Sequence, residues 1–121
     1  MLDTSAVLAI LYEEEGAANA RDFSDPGSIS RVNVAEVLTD LIRTGYGDAE
    51  EALEVFKTLQ LRVRSVYDDH VPRVAELKRI KGLSLGDCFC IALGETINEP
   101  LITADRQWAE LDLSVAVHLI R

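Results

Sequence analysis

The chain has 121 residues, of which 48% are hydrophobic, and its formal net charge at pH 7 is −9. This length suits one domain over residues 1–121 with its own core, and the composition is that of a globular protein. No apolar run approaches the roughly 18 residues of a membrane span, and no signal-peptide pattern is present, so a cytoplasmic protein without membrane association is expected. The acidity argues against a simple nucleic-acid binder but leaves room for an acidic cleft that binds cations.

Hydrophobic periodicity predicts helices and strands that alternate along the chain. A very short apolar start ends at Asp3, and helices over 4–14 and 17–23, a strand over 28–31, and helices over 33–44 and 48–59 follow. A strand over 61–66, helices over 69–81 and 85–97, a strand over 100–103, a short helix over 106–111 and a strand over 114–120 complete the chain. This alternation predicts an α/β fold whose parallel sheet is covered by helices on both faces.

Local signals suggest where several helices begin and end. Thr4 or Ser5 is expected to cap the first helix, Gly16 to end it, and Asn33 to cap the third helix. Pro72 is compatible with a first helical turn. The third helix carries an apolar stripe of Val34, Val37, Leu38, Leu41 and Ile42.

Four acidic residues stand where apolar runs give way to turns or helices: Asp3, Glu36, Asp87 and Asp105. Asp3 and Asp105 follow predicted strands, and ligands of parallel sheets bind at the carboxyl ends of the strands. Carboxylates are rarely buried without a partner and repel one another, so a divalent cation bound through oxygen is the expected partner. Such a cation suggests phosphate chemistry.

Each acid also has a purely structural interpretation. Asp3 and Asp105 could be helix caps, although Thr4 and Ser5 could free Asp3 from that role. Asp87 could interact with a helix dipole, but its apolar neighbours predict low solvent access. Glu36 lies opposite the apolar stripe, where it could be a solvated surface acid or could face a cleft. Thr103 and Asp105 are expected to share one side of their strand.

Taken together, the segments LDTSAVLAIL, NVAEVL, LSLGDCFCIALG and LITADRQW resemble the PIN-domain ribonucleases, and among them the VapC-like toxins of type II toxin–antitoxin pairs. The resemblance implies a three-layer α/β/α PIN-like domain with a central, mainly parallel sheet and an acidic pocket for Mg²⁺ or Mn²⁺. It implies endonucleolytic cleavage of RNA, with Asp3 and Asp87 as principal metal ligands and Glu36 and Asp105 completing the pocket. It also implies that Thr103 or Ser5 supports these ligands without being a principal ligand itself.

The same resemblance implies an RNA substrate, a cognate antitoxin protein and a homodimer. Candidate cations for RNA phosphates are Arg31, Arg43, Arg73, Lys78, Arg79, Lys81 and Arg106, although each could be an ordinary surface charge. Gly86 departs from the family pattern and is expected to loosen the start of its helix. Cys88 and Cys90 are expected to be buried, reduced thiols, because neighbours two apart on a helix point away from each other.

Two other functions fit parts of the pattern. A phosphatase of the haloacid-dehalogenase kind needs an Asp two residues after its nucleophile, where this chain has Ser5. A non-catalytic module could use the acidic pocket to dock a basic peptide. Cleavage of RNA with Mg²⁺ or Mn²⁺ would distinguish a nuclease from such a module.

Overall fold

A computed structural model describes residues 1–121 as helices and strands in alternation. The strands are β1 (Ser28–Ser30), β2 (Arg62–Arg64), β3 (Leu101–Thr103) and β4 (Val117–Leu119). The α-helices are α1 (Thr4–Leu11), α2 (Ala17–Phe23), α3 (Arg31–Arg43), α4 (Ala49–Lys57), α5 (Val71–Leu77) and α6 (Leu85–Ile97). Two 3₁₀ turns cover Asp68–His70 and Arg106–Glu110.

The strands form a parallel sheet with Leu2 at its centre. β1 pairs with β2 and β3 pairs with β4, all in parallel. Leu2 forms parallel bridges to Ile29 on one side and to Ile102 on the other, which joins the two pairs in the order β2–β1–Leu2–β3–β4. The predicted α/β fold with a parallel sheet is therefore confirmed, and the expected first strand consists of little more than this one residue.

Helices pack against both faces of the sheet. Leu2 and Ile102 belong to a core cluster with buried side chains of α1 to α4, whereas the preceding residues Met1 and Leu101 belong to a second cluster with α5 and α6. Adjacent strand residues point to opposite faces, so the two clusters lie on opposite sides of the sheet. The result is the three-layer arrangement predicted from the sequence.

Several predicted helix ends are wrong. Ser30 caps α3 by accepting a hydrogen bond from the backbone of Asn33, so Asn33 is not the cap and lies buried inside the helix. α1 ends at Leu11, and Gly16, with a φ of +91°, precedes α2 instead of ending α1. The segment predicted as one helix over 69–81 is a 3₁₀ turn followed by α5, with Pro72 in the first turn of α5.

Several elements are also shorter than predicted, whereas α2 and α6 have the predicted bounds and α3 begins two residues earlier than predicted. The strands predicted over 61–66 and 114–120 are confined to three residues each, and Arg31 is helical rather than extended. Ile42 was expected in the apolar stripe of α3, but its side chain is 42% exposed. Hydrophobic alternation continues beyond the point where backbone pairing stops, so it overestimates strand length.

Cys88 and Cys90 are both free and buried, as predicted. They belong to the apolar cluster beneath α6, where a thiol behaves as a small hydrophobic group. None of the helices combines the length and the apolar character that crossing a bilayer requires.

Candidate active site

The four predicted acids line one cleft at the carboxyl end of the sheet. Asp3 directly follows Leu2, Asp105 lies two residues after β3, and Asp87 is in the first turn of α6. Glu36 lies on the side of α3 that faces them, and the cleft they share has a volume of about 670 Å³. Segments far apart in sequence thus bring four carboxylates to one place.

Asp3 is the most enclosed of the four, with 3% of its surface exposed. Its carboxylate accepts hydrogen bonds from the Ala6 backbone (2.8 Å) and the Thr103 hydroxyl (2.7 Å), and the Ser5 hydroxyl lies 2.8 and 2.9 Å from its two oxygens. Burial raises the pKa of Asp3 to about 6 in spite of these bonds, and repulsion from Asp87 adds to the rise.

The prediction that Thr4 or Ser5 caps α1 is therefore wrong. Asp3 itself is the cap, because its Oδ1 atom accepts the bond from the Ala6 N–H group. Capping does not remove it from the cleft, since the same carboxylate also lines the cavity. The structural and functional interpretations of Asp3 are compatible rather than alternative.

Asp87 is half-buried, so the expected low solvent access is only partly met. It forms a capping box with Ser84: the Ser84 N–H donates to Asp87 Oδ2 at 2.8 Å, and the Asp87 N–H donates to Ser84 Oγ at 3.1 Å. Burial raises the pKa of Asp87, the bonds from Ser84 lower it by less, and repulsion from Glu36 and Asp105 raises it further.

Glu36 is half-buried and turned towards the cleft, not towards open solvent. Its Oε2 atom accepts hydrogen bonds from the Thr4 hydroxyl and, at 3.0 Å, from Asn33 Nδ2. Asn33 is fully buried and also donates to the Gly86 carbonyl at 3.4 Å. A buried amide with several partners has one orientation, so Asn33 fixes the direction of Glu36.

Gly86 does not loosen the start of α6, contrary to expectation. The Ser84–Asp87 capping box closes that helix end. A Cβ atom on Gly86 would lie 2.1 Å from Glu36 Oε1, so the absence of a side chain makes room for the acid. The departure from the family pattern thus has a local steric role.

Asp105 caps the 3₁₀ turn Arg106–Glu110 by accepting a hydrogen bond from the Gln107 backbone at 2.9 Å. The Thr103 hydroxyl, which donates to Asp3, accepts from the Asp105 N–H at 3.0 Å. Thr103 therefore links two of the four acids through one hydroxyl group. The hydroxyls of Thr103 and Ser5 both contact Asp3, and the support of the site by Thr103 or Ser5 stays a prediction.

The oxygen donors of the cleft fit a hard divalent cation. Three carboxylate oxygens accept no hydrogen bond from the protein: Glu36 Oε1, Asp87 Oδ1 and Asp105 Oδ2. No three Asp, Glu, His or Cys side chains are close enough together to form a complete metal-coordination site by themselves. A cation here would take one or two carboxylates and keep several waters, which is the usual mode for Mg²⁺.

The one basic side chain that lines the cleft is already paired. Arg43 forms a salt bridge with Asp40, and the Tyr12 hydroxyl donates to the same carboxylate at 2.7 Å. Asp3, Glu36, Asp87 and Asp105 have no Lys, Arg or His nitrogen within 4 Å. These four acids therefore form no ion pair within the protein.

Sequence reasoning did not identify Asn33, Ser84 or Thr4 as parts of this site. The pattern Ser84-Leu-Gly-Asp87 is a capping-box signature and could have identified Ser84. Asn33 stands three residues before Glu36, one helical turn away, which is a recognisable spacing for a side-chain contact. The contact from Thr4 spans 32 residues and carries no local signal.

The sequence profile of the PIN domain matches residues 1–113. Among solved structures, PAE2754 from Pyrobaculum aerophilum is 20% identical, with a TM-score of 0.61 over 96% of this chain and 86% of that chain. VapBC-1 from nontypeable Haemophilus influenzae is 16% identical, with a TM-score of 0.68 over 99% of this chain and 96% of that chain. No curated protein matches significantly. The profile match, which covers nearly the whole chain, shows that the protein belongs to the PIN domain family.

Proposed function

We propose that residues 1–121 act as one PIN-like domain that cleaves RNA internally with the help of Mg²⁺ or Mn²⁺. PIN domains are generally nucleases. The observation that carries the proposal is the convergence of four carboxylates, from four separate segments, on one cleft in which no basic side chain neutralises them. In the proposed site, Asp3 and Asp87 are the principal metal ligands, and Glu36 and Asp105 complete the pocket.

The hydrogen bonds around the four acids differ, and so do the contributions that each acid can make to binding a cation. Asp87 and Asp105 each have one oxygen held by a backbone N–H and one oxygen free to bind a cation. Glu36 offers Oε1 while Asn33 and Thr4 hold its other oxygen. Asp3 is held most rigidly, by α1 and Thr103, and forms the floor of the pocket. A bound divalent cation would supply activation of water and neutralisation of charge on the phosphate.

We further propose that the protein is the toxin of a type II toxin–antitoxin pair. The likeness to VapBC-1 over almost the whole of both chains supports this assignment at the level of the fold. In this proposal a cognate antitoxin covers the cleft, the toxin is a homodimer, and both function in the cytoplasm. Coexpression with the neighbouring reading frame, followed by co-purification, tests the antitoxin; sedimentation of the separated toxin tests the dimer.

The alternative is a non-catalytic module whose acidic cleft docks a basic peptide. The absence of any paired cation at the four acids would suit such docking as well. The two functions differ in one measurable property, because docking does not break phosphodiester bonds. The module predicts intact RNA under every metal condition.

The decisive experiment incubates the purified protein with single-stranded RNA in Mn²⁺, in Mg²⁺ and in EDTA. We expect cleavage with either metal, none in EDTA, and none with the Asp87→Asn variant. A parallel thermal-unfolding series without RNA should show stabilisation of the parent by Mn²⁺ and a smaller shift for the variant. Intact RNA together with no Mn²⁺-dependent shift would contradict the nuclease proposal.

A further inference from the structure

Unpaired basic residues are unevenly distributed over this acidic protein. Of its 12 Lys and Arg residues, five form ion pairs: Arg43, Lys57, Arg64, Arg73 and Arg121. Of the seven that have no carboxylate within 4 Å, four are grouped in the segment between α5 and α6 and at the adjoining 3₁₀ turn. We call this group the basic rim, and it consists of Lys78, Arg79, Lys81 and Arg106.

The basic rim is attached directly to the backbone that carries two of the cleft acids. Lys78 Nζ donates to the Leu83 carbonyl at 2.9 Å, immediately before the Ser84 that caps the helix of Asp87. Gln107 Nε2 donates to the Lys81 carbonyl at 2.7 Å, while the Gln107 N–H donates to Asp105. The rim residues do not themselves line the cleft, but the segments that carry them adjoin Ser84, Asp87 and Asp105, which do.

The loop before α6 packs closely against the 3₁₀ turn Arg106–Glu110. Gly82 has a φ of +97°, and a Cβ atom there would lie 2.6 Å from Gln107 Oε1. The glycine thus lets the loop before α6 approach the 3₁₀ turn that carries Arg106. The backbones that carry Lys81 and Arg106, from two separate segments, are in this way brought close together beside the cleft.

The other cations predicted for RNA binding are less suited to it. Arg73 is held by Glu95 and Glu76, and Arg43 by Asp40, so neither presents a free charge. Arg31, at the start of α3, is exposed and unpaired but stands apart from the group in sequence. All four side chains of the basic rim are exposed, although the whole protein carries a net charge of −9. A local concentration of free positive charge beside an acidic cleft attracts a polyanion to that border.

We infer that the basic rim binds the phosphates of single-stranded RNA on one side of the bond to be cut. This inference rests on the proposed nuclease function and assigns its substrate-binding surface. Asp3 lies on the floor of the cleft, so the strand must bend inwards to reach it. A flexible single strand can do so, whereas an A-form duplex is a stiff rod.

The test compares two double variants of equal charge change in an Asp87→Asn background and in EDTA, so that RNA stays intact. Lys81→Gln with Arg106→Gln removes two rim charges. Arg21→Gln with Arg62→Gln removes two exposed, unpaired charges near the amino end of the sheet. Affinity for a short single-stranded oligoribonucleotide is measured as a function of salt concentration.

The rim variant should bind more weakly, and the slope of log K against log salt should become shallower by about 0.7 for each phosphate that the protein no longer neutralises. The control variant should match its parent background. Equal weakening in both variants, or none in either, would overturn the inference. So would binding of polyglutamate that is equally dependent on the rim, because the surface would then be a docking site for an acidic protein.

Cleavage assays separate this inference from the proposed function. With Asp87 restored, the rim variant should raise KM for RNA and leave kcat nearly unchanged, because the four carboxylates are intact. If the parent cleaves RNA and the rim variant has the parental KM and salt dependence, only the inference fails. If the parent cleaves no RNA with Mn²⁺, the proposed function fails and the inference with it.

Discussion

The two ends of the sheet treat carboxylates in opposite ways. At the amino end, Glu99 lies 3.3 Å from both the Met1 α-amino group and Arg64, and the Ser28 hydroxyl donates to it at 3.1 Å. At the carboxyl end, four acids face one another with no basic partner. Ion pairing is thus present at one end of the sheet and absent from the four acids at the other, and this difference is what the proposed binding of a cation would explain.

The pKa directions make the same contrast. Burial by itself would raise the pKa of Glu95, but hydrogen bonds from Arg73 and Ser114 lower it overall. Burial dominates at Asp3 and Asp87, whose pKa values are raised. A lowered pKa in a carboxyl group marks net stabilisation of its charged form by the fold, and a raised one marks the reverse. The four cleft acids therefore include two that the metal-free fold disfavours as anions.

The largest expected effect is a loss of RNA cleavage on substitution of an unpaired cleft acid, compared with a loss of stability on substitution of a paired acid. Asp87→Asn should reduce RNA cleavage by roughly 100-fold or more, because an amide is a poor ligand for a hard cation. Its folding should be preserved, because Asn can also serve in the first helical turn. Glu95→Gln, at the paired acid, is the control: it should unfold at a lower temperature and still cleave. Equal cleavage by Asp87→Asn and the parent would refute the site assignment.

The second prediction uses pH to measure the cost of burying Asp3. Its pKa of about 6 exceeds the ordinary value of 3.8, so the native state binds more protons than the unfolded state between these values. The stability of the metal-free protein should therefore fall as pH rises through this window, by on the order of 3 kcal/mol as an upper bound.

The Asp3→Asn variant isolates this contribution, because Asn also caps helices well. In urea unfolding without metal, its stability relative to the parent should increase from pH 5 to pH 8. Glu95→Gln should instead stay less stable than the parent by a constant amount from pH 5 to pH 8. That difference should shrink only below pH 4.5, as the pH falls through the lowered pKa of Glu95. A pH-independent difference between Asp3→Asn and the parent would contradict the raised pKa.

A third prediction concerns room for Glu36. Gly86→Ala places a methyl group where Glu36 Oε1 now lies, so the flexible Glu36 side chain must move while the helix is kept. Cleavage and the Mn²⁺-dependent thermal shift should both decrease, with little loss of stability. In the matched control, Gly94→Ala meets Leu101 Cδ2 at 2.4 Å within the core. That variant should lose stability yet respond to Mn²⁺ normally; identical behaviour of the two variants would argue against a role for Gly86.

The smallest expected effect is at the amino end. Arg64→Gln removes one of two cations beside Glu99, and Arg64 is 38% exposed, so solvent screens much of the interaction. The melting temperature should fall only slightly, with RNA cleavage and the response to Mn²⁺ unchanged. A pronounced decrease in cleavage by this variant would show that the two ends of the sheet are not independent.

The sequence by itself determined the class of fold and the location of the acids along it. Strand and helix periods are local properties, and parallel strands place the residues that follow them at one edge of the sheet. The positions of Asp3 and Asp105 followed from that rule. Helix boundaries did not, because Ser30 competes with Asn33 for the cap of α3 and only the packed chain decides between them.

Only the tertiary structure decided which contacts from distant segments hold the site together. Thr103 reaches Asp3 across 100 residues of sequence, and Asn33 reaches Gly86 across 53. Neither interaction has a local signature: the first occupies an oxygen of Asp3, and the second helps to orient the Asn33 amide that donates to Glu36. Burial also depends on distant segments closing over a residue, so the raised pKa of Asp3 follows from long-range packing and not from the neighbours of Asp3 in the chain.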